Sequence, residues 1–428
     1  MGNFFKICAV GLTAAIGITS CIQEEALNTE CDILTCTVPE SILASPVVVD
    51  NNTVTLRIRP TGDISQLAPE FTLTEGATIT PASGTSQDFL NAENHTVYYT
   101  VTSQDGEWSK KYPVKVIQQK IPCDFKFDGT HLNIKTSDKD LNGYKYSILV
   151  ERNEKGEVVM NWASGNPGFV MCGVADKDAQ KAYADSSDPE AFKDHIWEFF
   201  PTKAVFADDV VLKMRPEDDV KYFYNPDGTF AKPEFIRLTT CTTGFFGGIV
   251  KMPIAAGNVF QGVFDMSLAT TQPLGATKFG EPYLYVPVRL KGRYRYKAGP
   301  VFKNRAGQVL DRKDIFSIYA LFFESEPGKV DYIDGTIHVD NFQHPNLVSV
   351  ALMKDARESD EWVTFDIPFE AAVNGRQLDR EKLDQGLYKI GIVISSSVDG
   401  DTFQGAVGST LDIADLRIIK EYDKKIVV

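Results

Sequence analysis

The sequence predicts an all-β protein made of a small Ig-like β-sandwich followed by a larger jelly-roll β-sandwich with a helical insertion. Three observations support this fold class. Short runs of alternating apolar and polar residues recur along the chain, turn residues separate them, and only one segment has clear helical spacing. Since 428 residues exceed a single typical sandwich, we expect two domains.

Composition limits the partners that the chain can have. Apolar residues make up 43% of the sequence and charged residues 24%, as is typical of a folded globular protein. The net charge is −14, from 44 Lys and Arg against 58 Asp and Glu. Nucleic acids attract basic patches, so we expect no nucleic-acid partner for this acidic chain.

Residues 1–20 are predicted to be a targeting segment rather than part of the fold. Lys6 precedes an apolar run over residues 7–18, and small residues then lead to Cys21. This arrangement resembles the lipobox of bacterial lipoproteins, which implies cleavage before Cys21 and acylation of that cysteine. Each buried CH₂ group contributes about 0.8 kcal/mol, so several acyl chains form a stable membrane anchor.

Residues 21–37 are polar and acidic and are predicted to be a tether. Residues 22–25, Ile-Gln-Glu-Glu, resemble the signal that exports Bacteroidetes lipoproteins to the outside of the outer membrane. The resemblance implies an outer-membrane lipoprotein at the cell surface, with neighbouring surface lipoproteins as possible partners. Cys31 and Cys36 could form a small loop disulfide in this oxidising location, but the sequence leaves that pairing open.

Residues 38–120 are predicted to form the Ig-like sandwich. Val54, Leu56 and Ile58 alternate with polar residues and should share one buried face. An Asp-Gly turn within residues 103–106 separates two further alternating runs and predicts a hairpin. That hairpin resembles the last two strands of Ig-like modules in Bacteroidetes surface proteins.

Residues 121–428 are predicted to form the jelly roll. Residues 316–323 and 387–394 are strong strand candidates, because apolar side chains recur at alternate positions in both. Residues 175–200 break the pattern with helical spacing, and Asp188 followed by Pro189 suits a helix start. We therefore expect a helical insertion packed on the sandwich.

A strand, a turn and a second strand are predicted over residues 158–173. The apolar run 158–162 ends at Trp162, and the apolar run 169–173 follows. Between them, residues 164–168 include Gly, Asn and Pro, which favour turns.

Four stretches of the predicted jelly roll, taken together and in order, resemble one family. They are residues 162–168, 256–264, 362–369 and 395–411. The family is the putative carbohydrate metabolism domain (PCMD) of Bacteroidetes lipoproteins, and the resemblance covers roughly residues 123–420. It implies a jelly roll similar to carbohydrate-binding modules and to some glucanases. In the family the last stretch usually ends in an Asp-rich strand. Here the corresponding aspartates are Asp412 and Asp415, and their spacing should place them on opposite faces of a strand.

Sugar binding requires an aromatic face against the C–H groups of a pyranose and polar partners for its hydroxyl groups. We therefore consider aromatic residues that have polar neighbours. The candidates are Trp162, Asn166, Trp197, Tyr294, Arg295 and Tyr296. Since 11% of the sequence is aromatic, core packing is the alternative role for each ring.

Cleavage of a glycosidic bond would require two carboxyl groups about 5 to 10 Å apart. Glu324 and Glu326 are the candidates because they follow a strong strand at alternate positions, although Pro and Gly directly after them indicate a turn. No Cys or His spacing suggests a metal site, and we expect no cofactor. The sequence Asp399-Gly-Asp401 leaves a structural calcium ion open.

The sequence thus favours an outer-membrane, surface-exposed lipoprotein that binds or handles glycans through its jelly roll. A glycoside hydrolase of the same fold is one alternative. A structural or adhesive surface protein is another, which predicts an exposed sheet edge and no aromatic-lined cleft.

Overall fold

The fold is seen in a computed structural model, which describes residues 27–43, 47–58, 62–118, 123–136, 139–152, 156, 158–215, 220–326, 328–373, 375–384 and 386–421. The predicted targeting segment and Cys21 therefore lie outside the described residues. The same holds for residues 119–122, between the two predicted domains.

The N-terminal unit is a small sandwich of short strands. Its strands are β1 (Ile33–Thr37), β2 (Val48–Val49), β3 (Val54–Ile58), β4 (Glu70–Leu73), β5 (Thr78–Thr80), β6 (Thr96–Thr102) and β7 (Ser109–Gln118), with 3₁₀ helices at Glu40–Ile42 and Glu93–His95. The sheet β2-β3-β7-β6-β5 and the pair β1-β4 enclose a common core. Val54, Leu56 and Ile58 are buried in it, as predicted.

Strand β1 lies within the stretch predicted to be a tether. Ile33 and Cys36 are buried in the small core, and this burial explains why the segment is ordered as a strand. Cys31 and Cys36 are both free thiols. Burial raises the pKa of Cys36 to about 12.

The larger unit is also built mainly of strands. They are β8 (Asp128–Thr136), β9 (Lys139–Arg152), β10 (Val158–Ala163), β11 (Thr202–Val205), β12 (Val211–Arg215), β13 (Val220–Tyr224), β14 (Phe235–Thr239), β15 (Cys241–Thr242), β16 (Ile254–Ala255), β17 (Asn258–Phe264), β18 (Thr277–Phe279), β19 (Glu281–Pro282), β20 (Pro287–Lys297), β21 (Phe302–Lys303), β22 (Ser317–Glu324), β23 (Ile333–Asp334), β24 (Leu347–Leu352), β25 (Ser359–Pro368), β26 (Glu370–Ala371), β27 (Tyr388–Ser395), β28 (Gly405–Ala406) and β29 (Thr410–Lys420).

The helices of the larger unit are short. They are α1 (Asn166–Val170), α2 (Val174–Ala182), α3 (Phe192–His195), α4 (Gly244–Ile249), α5 (Pro273–Ala276), α6 (Thr336–Val339) and α7 (Arg380–Asp384), with 3₁₀ helices at Ile196–Phe199 and Gly400–Thr402. In the part of the chain that the structure describes, no helix has the length and apolar character needed to cross a membrane.

Two sheets pack face to face in the larger unit. The large sheet runs β12-β13-β8-β9-β10-β17-β27-β22-β24-β26, and the small sheet runs β11-β14-β29-β20-β25. Ile318 and Phe322 of β22 meet Leu411 and Ile413 of β29 in the main core. The predicted all-β sandwich fold is thereby confirmed.

Strand β22 is buried on both of its faces. Its even-numbered residues point into the main core, whereas Tyr319, Leu321 and Phe323 pack on the other side against Phe260 and Phe279. The outside of the large sheet is therefore covered by a second layer of loops and short helices.

The predicted helical insertion is present as α2, α3 and the 3₁₀ helix that follows. Asp188 Oδ1 accepts the backbone N–H of Glu190 at 2.9 Å, ahead of α3. The second strand predicted after residue 168 is not observed among the described residues. Residues 166–170 form the helix α1 instead. Pro167 suits the first turn of a helix, and Phe169 packs edge-on to Phe200 of the insertion.

Candidate functional site

A pocket of about 170 Å³ lies in the outer layer of the large sheet. Its floor is formed by residues of the central strands β17, β22 and β27, including Phe260, Tyr319 and Val393. Its walls come from α1, α4, α5, α6 and the 3₁₀ helix at Gly400–Thr402. The pocket therefore rests on the most buried strands of the fold and is closed by short connecting elements.

Three of the four stretches that resemble the PCMD family meet at this pocket. They contribute Gly165, Asn166, Gly168, Ala256, Asn258, Phe260, Phe264, Ser395, Ser397, Gly400, Asp401 and Phe403. The fourth stretch forms β25 at the edge of the small sheet, away from the pocket. Stretches that are distant in the sequence thus build one concave site.

Two asparagines hold the pocket walls together. The backbone N–H of Gly165 donates to Oδ1 of Asn258 at 2.8 Å. Asn166 is fully buried, donates from Nδ2 to the carbonyl of Thr202 at 2.8 Å, and accepts the N–H of Thr202 at 3.1 Å. The structure does not support the predicted sugar contact of Asn166, because its amide group is used to join α1 to β11.

The most polar part of the pocket is a cluster of Tyr319, His338 and Asp401, here called the polar cluster. His338 Nδ1 lies 2.8 Å from Asp401 Oδ2. The other carboxylate oxygen, Asp401 Oδ1, is buried and has no hydrogen-bond partner among the described residues. The cluster thus contains a carboxylate oxygen that a ligand hydroxyl group could satisfy.

The pKa values of His338 and Tyr319 are shifted by different causes. The hydrogen bond to Asp401 raises the pKa of His338, and the charge of Asp399 acts in the same direction. Desolvation raises the pKa of Tyr319, helped by the charge of Asp401, so its phenol stays protonated at neutral pH. Tyr319 can therefore donate a hydrogen bond, and Asp401 can accept one.

Helix α4 brings aromatic side chains to the pocket. Phe246 lines the wall, whereas its neighbour Phe245 is 86% exposed. Gly247 is required in this helix, since a Cβ atom there would lie 1.7 Å from Oγ1 of Thr243. Phe264 and Phe403 complete the aromatic lining from other elements.

Trp162 lies in the main core rather than at the pocket. It is 3% exposed, and its ring packs against Phe125 and Phe127 at centroid distances of 5.2 and 4.9 Å. The structure does not support a ligand contact for Trp162, because both the ring and its N–H group are enclosed by the protein.

Tyr294 and Tyr296 are likewise core residues, each 2% exposed and packed against Phe316. Along β20 the tyrosines point inward and the arginines outward. Arg295 lies on the outer face of the small sheet, where its Nε donates to Asp412 at 2.7 Å. Its guanidinium also stacks over Trp362, so this face is already covered.

Asp412 and Asp415 lie on the same outer face of the small sheet, contrary to the expectation from their spacing. Asp412 pairs with Arg237 and Arg295, and Asp415 pairs with Arg293. The reason is a bulge in β29, where the register with β20 shifts and Asp415 has a φ of 53°.

Trp197 lies in the helical insertion and does not line the pocket. It is half-buried, and its ring lies edge-on to Phe223 at 5.2 Å. The structure therefore does not support a contact between Trp197 and a ligand in this pocket.

Glu324 and Glu326 do come together, but around basic groups. Glu324 is buried and lies 2.9 Å from Arg376 and 2.6 Å from Lys382, while Glu326 lies 3.0 Å from Arg376. The pairing with Arg376 helps to lower the pKa of Glu326, after the larger effect of a hydrogen bond from Asn346. This network neutralises both carboxylates and is typical of a structural ion-pair cluster.

The Asp399-Gly-Asp401 sequence does not form a group of converging oxygen ligands. Asp399 pairs with Arg312, and Asp401 pairs with His338. Among the described residues, no three His, Cys, Asp or Glu side chains are grouped so that they could hold a metal ion.

The polar cluster was not predicted from the sequence. His338 and Asp401 are 63 residues apart and lie on different short helices, so no spacing rule connects them. The available signal was the resemblance of residues 395–411 to the family, which includes Asp401.

Family models match both the larger unit and the N-terminal unit of the chain. The family model of the putative carbohydrate metabolism domain matches residues 136–419. The model of the N-terminal domain of SGBP, the surface glycan-binding proteins, matches residues 33–116. No curated protein matches the chain.

Two solved structures are similar to the chain, and both are named as putative glycoside hydrolases. One, from Bacteroides thetaiotaomicron, is 39% identical over 93% of this chain and 99% of its own, with a TM-score of 0.58. The other, from Bacteroides vulgatus, is 34% identical over 71% of this chain and 100% of its own, with a TM-score of 0.54. The chain therefore belongs to the family of the putative carbohydrate metabolism domain and carries an N-terminal domain of the surface glycan-binding type.

Proposed function

We propose that the protein is a cell-surface lipoprotein, anchored to the outer membrane through Cys21, that captures a glycan in the pocket without cleaving it. The observation that carries the proposal is the polar cluster in an aromatic pocket, where Asp401 Oδ1 is buried without a partner. Capture at the surface would serve neighbouring lipoproteins that handle the same glycan.

The pocket contains the two kinds of group that sugar recognition needs. Phe246, Phe264 and Phe403 offer aromatic surface to the C–H groups of a pyranose. Tyr319 can donate to a sugar oxygen, and Asp401 can accept from a hydroxyl group. A hydrogen bond to the Asp401 carboxylate contributes about 1.5–3 kcal/mol and one from the neutral Tyr319 phenol about 0.5–1.5 kcal/mol, so the two together support selective binding.

A glycoside hydrolase of the same fold is the second candidate, because both similar structures bear that name. The two usual mechanisms need a pair of carboxyl groups on either side of the scissile bond. Among the described residues that line the pocket, Asp401 is the only Asp or Glu, and it is paired with His338. The geometry therefore favours binding over cleavage. The structural or adhesive alternative predicted no aromatic-lined cleft, so it is favoured less than either.

The test is a glycan-array screen with the chain from residue 22 onward, followed by titration of each hit and an assay for new reducing ends. We expect binding without release of reducing ends. Asp401→Asn and Tyr319→Phe should weaken binding about tenfold each. Asp415→Asn is the control, since Asp415 lies on the outer face of the small sheet, pairs with Arg293 and does not line the pocket.

Equal affinity in the Asp401 and Tyr319 variants would exclude the pocket as the site. Release of reducing ends would make the protein a hydrolase. Absence of binding to any glycan would contradict the proposed function and favour a structural role.

A further inference from the structure

We propose that the pocket holds a single terminal sugar that carries a methyl group, as in a 6-deoxy sugar or an N-acetyl sugar. This inference rests on the proposed function and specifies the class of ligand. Three observations lead to it: the size of the pocket, the number of polar groups that remain available, and their position near one another.

The size of the pocket limits the ligand to one ring. Pockets for drug-sized ligands have volumes of about 300–1,000 Å³, and an engineered cavity of about 150 Å³ holds benzene. At about 170 Å³, this pocket fits one six-membered ring with small substituents. We therefore expect the enclosed part of the pocket to receive one ring, at the end of a chain or on a side branch.

Most polar side chains in the lining already have partners within the protein. Asn166 and Asn258 join the walls, Thr277 donates to the carbonyl of Leu274 at 3.1 Å, and Ser395 donates to the carbonyl of Ser397 at 2.9 Å. The same holds for Thr202, Thr243 and Ser397. Their hydroxyl and amide groups are therefore not available for several sugar hydroxyls at once.

Apart from the exposed Thr270, the groups that remain available lie near one another in the pocket. Ser317 and Tyr319 are alternate residues of β22 and point to the same face. The rings of Tyr319 and His338 both pack against Phe342, at 5.1 and 6.1 Å, and Asp401 is bonded to His338. One edge of the sugar can thus be hydrogen-bonded there.

The wall formed by α4 and the residues after it is apolar. Phe246, Val250 and Met252 line it, and Phe264 joins the lining from β17. A sugar hydroxyl against these side chains would lose its water without gaining a partner, whereas a methyl group would gain from burial. In a 6-deoxy sugar a methyl group replaces a hydroxymethyl group, and in an N-acetyl sugar a methyl group ends the acetamido substituent. Either sugar matches this pocket better than a fully hydroxylated hexose.

The test compares matched pairs of immobilised sugars that differ in the methyl group, on the same linker. The pairs are L-fucose with L-galactose, L-rhamnose with L-mannose, N-acetylglucosamine with N-formylglucosamine, and N-acetylgalactosamine with N-formylgalactosamine. In at least one pair we expect the methyl-bearing sugar to bind about tenfold more tightly or better. The first two pairs identify a C6 methyl group, and the last two identify an acetyl methyl group.

The protein variants are Phe246→Ala and, as the matched control, Phe245→Ala. Phe246 lines the pocket and its neighbour Phe245 does not, so only Phe246→Ala should reduce the preference within the pair. If in every pair the sugar without the methyl group binds equally well or more tightly, this inference is overturned and the proposed function still stands. Failure to bind any glycan on the full array would overturn both.

Discussion

The indole N–H of Trp162 donates a hydrogen bond of 2.9 Å to Oε1 of Glu151, and both side chains are buried. The same carboxylate accepts the backbone N–H groups of Lys126 and Phe127, at 2.8 and 3.2 Å. Trp162 therefore helps to satisfy a buried charge that joins β9 and β10 to the segment before β8. We expect Trp162→Phe to lower the free energy of unfolding by about 1–3 kcal/mol, because one donor to that carboxylate is lost.

Urea denaturation measures this loss, and glycan titration of the folded variant provides the control. The affinity should match that of the wild type, since Trp162 does not line the pocket. A variant with normal stability and lost binding would contradict the structural role.

The two aspartates of β29 should differ strongly in their effect on stability. The side chain of Asp412 is 4% exposed and pairs with Arg237 and Arg295, whereas that of Asp415 is 68% exposed and pairs with Arg293. Asp412→Ala leaves two partly buried guanidinium groups without their carboxylate, so we expect a loss of about 3–5 kcal/mol. Asp415→Ala should change stability little. Comparable midpoints for the two variants in guanidinium denaturation would argue against this assignment.

The acidic pair beside β22 provides a test of catalysis against structure. Glu324→Gln removes the charge that faces Arg376 and Lys382, and we expect a loss of about 1–3 kcal/mol in unfolding free energy. Glu326→Gln should be milder because Glu326 is partly exposed. Neither change should alter glycan affinity, measured by titration. A hydrolytic activity that disappeared in both variants would identify them as catalytic instead.

The pKa of His338 gives a prediction for pH dependence. Asp401 and Asp399 raise it above 6.5, so the folded state favours the protonated imidazole. This stabilisation is fully present below about pH 6.5 and is lost as the pH rises through the folded-state pKa. The stability difference between wild type and His338→Gln should therefore be constant below about pH 6.5 and shrink as the pH rises above it, as measured by thermal denaturation.

His344 provides a control of opposite sign. Burial lowers its pKa, so its neutral form is favoured and its contribution is lost as the pH falls. The stability difference for His344→Gln should grow as the pH rises towards about 6.5 and stay constant above it. Parallel trends in the two variants would contradict the pairing of His338 with Asp401.

The sequence allowed the strands to be predicted better than the roles of their side chains. The strands predicted over residues 316–323 and 387–394 are present as β22 and β27, because a period of two follows directly from strand geometry. The sugar-binding role predicted for Tyr294 and Arg295 is not supported, since aromatic and arginine side chains can each cover either face of a sheet. The bulge at Asp415 also reversed an expectation that assumed regular pairing.

The site was predictable only in part. The family stretches at residues 162–168, 256–264 and 395–411 do surround the pocket, so their resemblance located it without assigning roles. Tyr319 lies within a run that was predicted to be a strand. Its side chain points to the outside of the large sheet and lines a pocket only because short helices cover that face. His338 and Asp401 meet through tertiary packing, which no local pattern encodes.

Because β22 is buried on both faces, alternate residues along it serve different purposes. Even-numbered positions such as Ile318 and Ala320 belong to the core, and odd-numbered positions such as Ser317 and Tyr319 belong to the pocket. Recognition could thus be redesigned at Ser317 and Tyr319 while the rest of the strand is kept. A library confined to these two positions would explore new sugar specificities on a constant scaffold, and relatives of this chain could diverge in the same way.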